Sequence, residues 1–336
     1  MLRKDIVTIG GSAGSLAVLK QLLAELPADF PATLFVAVHG PSRSPGYLAE
    51  ALTSVSKLPV ERAIDGRPIE RSRVYIAVPD RHLLITGDVI RLGDGPRENM
   101  AKPAIDPLFR SAALSHGGRV VGVVLSGMLN DGASGLNAIK ACGGTAVVQH
   151  PLDAEADQMP LAALEAVAAD EIATSTNLAS VLAAIVTTDA GVSIEPPPSI
   201  ALEVRIAAGG RLGSRALRDF ADPSALSCPD CHGVLSEVRG ERPLRYRCQI
   251  GHAHTADSLA SQTGELDEAM HVALRVMEER VTLVTRMAED ARTAGRMAVA
   301  ELYAARADEY ASYADVIRGA AISSLRLGGR EGEEEV

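Results

Sequence analysis

Short apolar runs rich in β-branched residues alternate with longer amphipathic segments from Ile6 to about Val186. The runs are IVTI, TLFVAV, VYIAV, VVGVVL and TAVV, and segments such as SLAVLKQLLAELP between them have helical spacing. Strands that alternate with helices need crossover connections, which favour a mostly parallel sheet with helices on both faces. The pattern predicts a doubly wound α/β domain over residues 1–187.

One pair of apolar runs, HLLITGD and VIRLGD, departs from this alternation because no helical segment separates the two runs. Gly87 and Asp88 lie between them, and such residues are typical of a tight turn between antiparallel strands. We therefore expect a β-hairpin as an antiparallel addition to the sheet.

The residue composition of the chain changes after Val186. The segment TTDAGVSIEPPPS contains small residues and three consecutive prolines, which are typical of a semi-rigid linker. The residues that follow, as far as Pro223, are rich in Gly and Arg and show no clear period. We predict a linker over residues 188–226 and a separate cysteine module over residues 227–255.

A helical pattern occupies residues 256–328, with Gly295 at a point where the chain could turn. One apolar stripe at three- and four-residue steps comprises Leu266, Met270, Leu274, Met277, Val281, Val284 and Met287. A second comprises Leu302, Tyr310, Tyr313, Ile317 and Ala321. The pattern predicts an antiparallel helical hairpin, followed by an acidic tail over residues 329–336. The stripes require burial against another helical protein, against the same chain, or in a homodimer.

Charge and composition narrow the class of partner. The chain has 33 Lys plus Arg against 43 Asp plus Glu, a net charge of -10 that repels nucleic-acid backbones and anionic lipid. No apolar run has the length of a membrane span, and the first residues lack the features of a signal peptide. These features predict a cytoplasmic globular protein that neither binds nucleic acid nor inserts into a membrane.

A candidate nucleophile lies in the first strand-to-helix turn, IVTIGGSAGSL, where Gly10, Ser12 and Gly14 have the G-x-S-x-G spacing of a nucleophile elbow. Glycines permit a sharp turn that exposes the serine hydroxyl, and the new helix begins where an oxyanion could be stabilised. The same pattern also suits a nucleotide phosphate loop or an ordinary tight turn.

Two further polar residues follow other strands of the predicted sheet. His39 ends TLFVAVH, and Asp131 follows VVGVVLSGM. The carboxyl ends of parallel strands share one edge, so these residues and Ser12 are expected to meet there. Serine needs a base, and the base needs an acceptor that holds its tautomer, which predicts a Ser12–His39–Asp131 triad. Taken singly, His39 could be a surface residue, and Asn130-Asp131-Gly132 is also a good turn sequence.

Residues 5–186 resemble the catalytic domain of the chemotaxis protein-glutamate methylesterases, the CheB family. The resemblance is carried by IGGSAGS, VAVHGP, VYIAVPDRHLLI, KPAIDPLF, LSGMLNDGASG and QMPLAAL, in that order. It implies the same triad of Ser12, His39 and Asp131 and no catalytic cofactor. It also implies hydrolysis of glutamate γ-methyl esters on helical chemoreceptors, with release of methanol and related deamidation of glutamine.

The resemblance implies that Met128 donates a main-chain N–H to the oxyanion. Ala13 directly follows the nucleophile at a helix start, and we add its N–H as the second donor, with Gly11 as support. Family members often read S-T-G-G where this chain has Ser12, Ala13, Gly14 and Ser15, and Leu129 replaces a usual glycine. The best-known members begin with a receiver domain, whereas this chain begins at the catalytic domain, so phosphoryl control within it is not expected.

The cysteine module has the ligand spacing of a zinc site. Cys228 and Cys231 form a C-x2-C pair, and Cys248 and His252 form a C-x3-H pair. Four such ligands complete a tetrahedral Zn²⁺ and leave no open position, which predicts a structural site. Reduced thiols without metal remain an alternative, as do His254 and His232 as substitute ligands. Cys142 is expected to be a buried small residue.

Two functions of different classes remain open. The first is a protein-glutamate methylesterase or glutamine deamidase that acts on a chemoreceptor or another helical signalling protein. The second is a weakly active or inactive signalling adaptor that acts through the zinc module and the helices, suggested by the changes beside Ser12. A nucleotide-binding loop over Gly10 to Gly14 is a third, weaker reading.

Overall fold

The computed structural model describes residues 2–39, 47–211, 213–261 and 264–328. It contains two compact units, residues 1–259 and residues 260–336. The strands are β1 (Ile6–Gly11), β2 (Thr33–Val38), β3 (Val60–Arg62), β4 (Val74–Ile76), β5 (His82–Thr86), β6 (Val89–Gly93), β7 (Val120–Val124), β8 (Thr145–Gln149), β9 (Glu171–Ala173), β10 (Ala221–Ser227), β11 (Val234–Val238), β12 (Arg245–Cys248) and β13 (Ala253–Thr255).

The helices of the first unit include those that cover both faces of its central sheet. The unit contains α1 (Ser15–Glu25), α2 (Tyr47–Thr53), α3 (Ile105–His116), α4 (Ala133–Ala141), α5 (Gln158–Ala166), α6 (Leu178–Ile185), α7 (Pro198–Ala207), α8 (Ser214–Phe220) and α9 (Ala256–Ala260). The second unit consists of α10 (Gly264–Thr293) and α11 (Met297–Gly328).

The central sheet has the order β3-β4-β2-β1-β7-β8-β9, and every neighbouring pair is parallel. One apolar core joins the sheet to α3, α4 and α5, and the other joins it to α1, α2 and α6. The predicted doubly wound sheet is therefore confirmed. The sequence did not reveal the edge strands β3 and β9, because three residues are too few to show a period.

The predicted hairpin is present as β5 and β6, which pair antiparallel with the turn at Gly87. It forms a two-stranded sheet of its own, not an addition to the parallel sheet. Leu83, Ile85 and Ile90 of the hairpin belong to the core that contains α3. The backbone N–H of Ile85 also donates to Ser111 Oγ at 3.0 Å, so the hairpin is fixed against that helix.

Residues 188–226 differ from the predicted linker because they contain α7, α8 and most of β10. The proline run leads into α7, with Pro198 as its first residue, a position that proline favours. The buried face of α7 includes Ile200, Ile206 and also Glu203. A buried glutamate interrupts the apolar period, which explains why the sequence did not show this helix.

The cysteine module is a four-stranded antiparallel sheet with the order β10-β11-β12-β13, so it begins at Ala221 and not at residue 227. Its own apolar cluster is small and comprises Cys228, Leu235, Tyr246 and Cys248. Such a core stabilises a separate domain poorly. The module belongs to the same compact unit as the α/β domain.

A buried network of arginines and glutamates joins the module to the α/β domain. Glu203 Oε1 lies 2.7 Å from Arg245 Nη2 and 3.0 Å from Arg247 Nη2. Arg247 Nη2 also lies 3.0 Å from Glu98 Oε1, and Arg110 forms ion pairs with both glutamates. Burial raises the pKa of Glu203, but the nearby arginines outweigh burial and hold that pKa well below its usual range.

The second unit is the predicted helical hairpin, although it begins at Gly264 and not at residue 256. Gly295 has a φ of 72° in the turn between the helices. The buried seam comprises Val284, Ala288, Ala291, Ala300, Ala307 and Ala314. The stripe prediction was wrong for Met287, Leu302 and Tyr313, which are exposed, because alanines fill the seam.

The side chains of Leu266 and Ala321 and the acidic tail over residues 329–336 lie outside the described residues. None of the described helices has both the length and the apolar composition that a membrane-spanning helix needs.

The buried network gives a stability prediction. Glu203→Gln leaves three buried arginines short of one counter-charge, so we expect the free energy of unfolding to fall by about 3 kcal/mol or more. The melting temperature in circular dichroism should fall by roughly 5 to 10 °C. Glu165→Gln, at an exposed position on α5, is the control and should melt with the parent. Equal melting temperatures for both variants would show that the network adds no stability.

Candidate active site

Ser12 lies in a sharp turn between β1 and α1. Gly14 caps the helix with a φ of 76°, and a Cβ atom there would come within 2.7 Å of Ser126 Oγ. Both the backbone conformation and the space therefore require glycine. Ser15 Oγ donates to the carbonyl oxygen of Ser12 at 2.7 Å, so a neighbouring hydroxyl is present despite Ala13.

The register of the sheet brings Ser12 and His39 together. Gly11 pairs with Val38 in the parallel ladder, and the N–H of His39 donates to the carbonyl oxygen of Gly11 at 3.1 Å. Ser12 and His39 are the next residues of these two neighbouring strands, beyond the carboxyl edge of the sheet. On the other side, the N–H of Ser12 donates to the carbonyl oxygen of Ser126 at 2.9 Å.

His39 and Asp131 form a direct hydrogen bond. His39 Nε2 lies 2.7 Å from Asp131 Oδ2, and the Asp131 side chain is only 2% exposed. A carboxylate accepts, so Nε2 carries the proton in this pair and Nδ1 is the basic nitrogen. Among the described residues, neither His39 Nδ1 nor Ser12 Oγ has a hydrogen-bond partner.

Backbone N–H groups and the side chain of Asn99 donate further hydrogen bonds to the Asp131 carboxylate. The N–H groups of Ile105 and Asp106, at the start of α3, donate to it at 2.6 and 3.2 Å. The N–H of Gly132 and Asn99 Nδ2 donate at 3.0 and 2.9 Å. Burial raises the pKa of Asp131, but His39 and these donors outweigh burial and hold that pKa below its usual value. Asp131 is therefore held as a carboxylate.

Asn99 and Asp106 take part in this site, although the sequence analysis gave neither a role. Asn99 Nδ2 also donates to Asp106 Oδ2 at 3.1 Å, so it bridges the two carboxylates. Burial and the charge of Asp131 raise the pKa of Asp106 to about 7. The block KPAIDPLF contains Asp106 and could have drawn attention to it, but no sequence signal distinguished Asn99.

The residues expected to form an oxyanion hole border the same turn. Among the described residues, no partner accepts from the N–H of Ala13 or Met128. The N–H of Leu129 is engaged, since it donates to Gln158 Oε1 at 2.7 Å. Leu129 has a φ of 62°, in the left-handed region where the family pattern has glycine. Gly11 belongs to β1, and its part is to hold the backbone of His39.

The four predicted metal ligands lie together in the cysteine module. Three thiol Sγ atoms and Nδ1 of His252 all lie within 4.8 Å of one another, the thiols being those of Cys228, Cys231 and Cys248. The Cys231–Cys248 Sγ distance is 3.6 Å, and His252 Nδ1 lies 3.5 Å from Cys248 Sγ and 3.8 Å from Cys228 Sγ. Tetrahedral zinc with Zn–S bonds of about 2.3 Å gives ligand separations of about 3.5 to 3.8 Å.

The alternative ligands do not complete this group. His254 Nε2 pairs with Asp230 at 3.0 Å, in a second possible cluster with Cys228. His232 belongs to neither of the clusters found among the described residues. Cys142 is fully buried and lies in the α/β core, as expected from its place near a helix end.

Comparisons of the sequence with known proteins point to one protein family. The sequence model of the family described as CheB methylesterase matches residues 7–182. A relative from Leptospira interrogans is 37% identical over 169 residues, which are 50% of this chain and 88% of that protein. A protein-glutamate methylesterase/protein-glutamine glutaminase from Anaeromyxobacter dehalogenans is 39% identical over 51% of this chain and 50% of its own length.

A solved structure agrees with the sequence comparison. The Thermotoga maritima CheB methylesterase catalytic domain superposes with a TM-score of 0.53 at 30% identity, and covers 55% of this chain and 100% of that domain. The matched region contains Ser12, His39 and Asp131, whereas the cysteine module and the helical hairpin lie beyond the residues that the family model matches. The chain belongs to the CheB methylesterase family.

Proposed function

We propose that this protein hydrolyses γ-methyl esters of glutamate side chains and deamidates glutamine side chains in a chemoreceptor or a similar helical signalling protein. The observation that carries the proposal is the hydrogen bond between His39 and the buried Asp131, at the sheet edge where Ser12 emerges. The name of the Anaeromyxobacter relative, which joins these two activities, supports the choice of substrate.

Ser12 is the nucleophile in this proposal, and His39 is its base. His39 Nδ1 takes the proton from Ser12 Oγ as the oxygen attacks the side-chain carbonyl carbon of the substrate. Asp131 stays ionised, holds Nε2 in its protonated tautomer and stabilises the imidazolium that forms. Hydrogen bonds between catalytic groups often shorten only with substrate bound, so an unpaired Ser12 Oγ is consistent with this role.

The tetrahedral intermediate requires donors for its oxyanion. We assign the N–H groups of Ala13 and Met128, which have no partner among the described residues, to this task. The positive end of α1 adds to the same field because the helix begins at Ser15.

The rest of the reaction balances with one water. The intermediate collapses when His39 returns the proton to the leaving methoxide oxygen or amide nitrogen, which releases methanol or ammonia and leaves an acyl ester on Ser12. Water then loses a proton to His39 and attacks that ester. His39 returns this proton to Ser12 Oγ as the ester bond breaks, which frees Ser12 and leaves the glutamate side chain, whose acid proton passes to solvent. The hydrogen bonds that hold the buried Asp131 carboxylate orient His39 as a base. This chemistry requires such an oriented base, whereas a pure adaptor does not.

The cysteine module holds one structural Zn²⁺ in this proposal, bound by Cys228, Cys231, Cys248 and His252. Their spacing suits a closed tetrahedral site, so the metal takes no part in the hydrolysis. The cytoplasm is the proposed location, since a reducing compartment keeps such thiols available to the metal.

The triad assignment predicts the reactivity of Ser12. A fluorophosphonate probe should label only Ser12 in the parent, and Ser12→Ala and His39→Ala should lose labelling while they keep the circular dichroism spectrum. Asp131→Asn should lower kcat for a glutamate methyl ester by about 10⁴. The control is Ser180→Ala, at an exposed serine on α6. An unlabelled parent would contradict the hydrolase proposal and favour the adaptor.

A second prediction uses the close contact behind the nucleophile. A Cβ atom at Gly127 would lie 2.8 Å from Ser12 Cβ and 2.1 Å from Met159 Sδ, so Gly127→Ala must displace Met159 and also shift Ser12 relative to residue 127. We expect kcat to fall by about 10²-fold, since small misplacements of reacting groups have effects of this size. Gly213→Ala is the matched control because nothing lies within 4 Å of its added atom. Full activity of Gly127→Ala would mean that Ser12 is not held in this position.

The metal assignment predicts one zinc per chain by inductively coupled plasma mass spectrometry. Cys231→Ser and Cys248→Ser should lose the metal and lower the melting temperature, because the small module depends on that cross-link. Cys142→Ala removes the cysteine outside the cluster and should retain zinc. Failure of the parent protein to bind added zinc would reject the site.

A further inference from the structure

The strand that follows the metal ligand His252 lies against the neighbours of the catalytic aspartate. β13 starts at the next residue, Ala253, whose carbonyl oxygen accepts from the N–H of Asn99 at 2.8 Å. Thr255, at the other end of β13, donates from Oγ1 to Asn130 Oδ1 at 2.6 Å. Asn99 donates to Asp131, and Asn130 directly precedes it, so β13 holds the aspartate from two sides.

The amide of Asn130 is fixed at both of its polar atoms. Its Oδ1 accepts from Thr255, and its Nδ2 donates to Asp257 Oδ2 at 2.6 Å. Asn130 is 1% exposed and Thr255 is 0% exposed, so water does not substitute for the bond between these two side chains. Both partners of Asn130 lie outside residues 7–182, the region that matches the CheB family.

The loops around Asp131 also need external support. Asn99, Met100 and Leu129 have φ values of 50°, 64° and 62°, in the left-handed region that side chains rarely occupy. For Met100 and Leu129 this conformation is strained, and it persists only where the surroundings hold it. The contacts from β13 reach both loops, one at Asn99 and the other at Asn130.

We propose that the cysteine module positions Asp131, and that bound zinc controls how well it does so. The metal fixes His252 and thereby the start of β13, and β13 holds Asn99 and Asn130 in the places from which they orient the Asp131 carboxylate. Thr255 and Asn130 are positioning residues, since neither touches the reacting atoms. The effect on rate rests on the proposed function, whereas the coupling of zinc to the Asp131 loop does not.

Thr255 offers a matched pair of variants in the full chain. Thr255→Val keeps the shape but loses the hydroxyl that donates to Asn130, and Thr255→Ser keeps that hydroxyl. We expect Thr255→Val to lower kcat for ester hydrolysis and the rate of Ser12 labelling about tenfold or more, with KM and zinc content unchanged. Thr255→Ser should have the same kcat and the same labelling rate as the parent. Parent-like rates in Thr255→Val would overturn the positioning role.

Metal removal tests the coupling without any need for catalysis. Hydrogen–deuterium exchange in peptides that cover residues 97–101 and 127–134 should accelerate after a chelator removes zinc, and added Zn²⁺ alone should restore protection. Cys142→Ala should respond in the same way as the parent. Unchanged exchange in both segments would refute the coupling of zinc to the Asp131 loop.

The two measurements separate this inference from the proposed function. A parent that is never labelled at Ser12, but whose exchange responds to zinc, would refute the hydrolase and retain the coupling. In the opposite case, the parent is labelled normally, Thr255→Val has the kcat of the parent, and hydrogen–deuterium exchange does not respond to zinc. This result would retain the hydrolase and refute the positioning role of the module.

Discussion

The burial of the Asp131 carboxylate is the constraint on which the rest of the site depends. A buried charge costs several kcal/mol unless it is paired and hydrogen-bonded, so the surrounding elements must supply its donors. The donors come from His39 after β2, the first turn of α3, Gly132 before α4, and Asn99. The elements must therefore be assembled before Asp131 can be buried as a carboxylate, which links the geometry of the proposed triad to the fold.

A second buried carboxylate makes this constraint stricter. Asp106 shares the donor Asn99 with Asp131, and the N–H of Gly132 lies 3.0 Å from an oxygen of each. Burial and the nearby charge of Asp131 raise the pKa of Asp106 to about 7, whereas His39 and the hydrogen-bond donors outweigh burial and lower the pKa of Asp131. Arg110 Nη1 lies 3.8 Å from Asp106 and limits the cost of its ionisation. The same arginine belongs to the network that holds the cysteine module.

The sequence predicted the structural features that depend on local patterns. It did not predict the buried ion pairs, because their partners are far apart in the sequence. The apolar runs identified β1, β2 and β7, and the parallel arrangement then implied that Ser12 and His39 are neighbours. Glu203 and Arg247 gave no such signal, because charged residues are ordinarily exposed and an ion-pair partner can be remote. Glu98 and Arg247 are 149 positions apart in sequence.

The cysteine module explains why buried charges and a cluster of thiols occur together. Its apolar cluster is too small to support an independent domain, so the module depends on docking, and the proposed zinc adds a cross-link. Docking buries Arg245 and Arg247, which would be prohibitively costly without Glu98 and Glu203 to pair with them. Because this pairing sets the position of β12, it also sets that of its neighbour β13 against Asn130. The contact with the Asp131 loop therefore follows from the way in which a small module is stabilised.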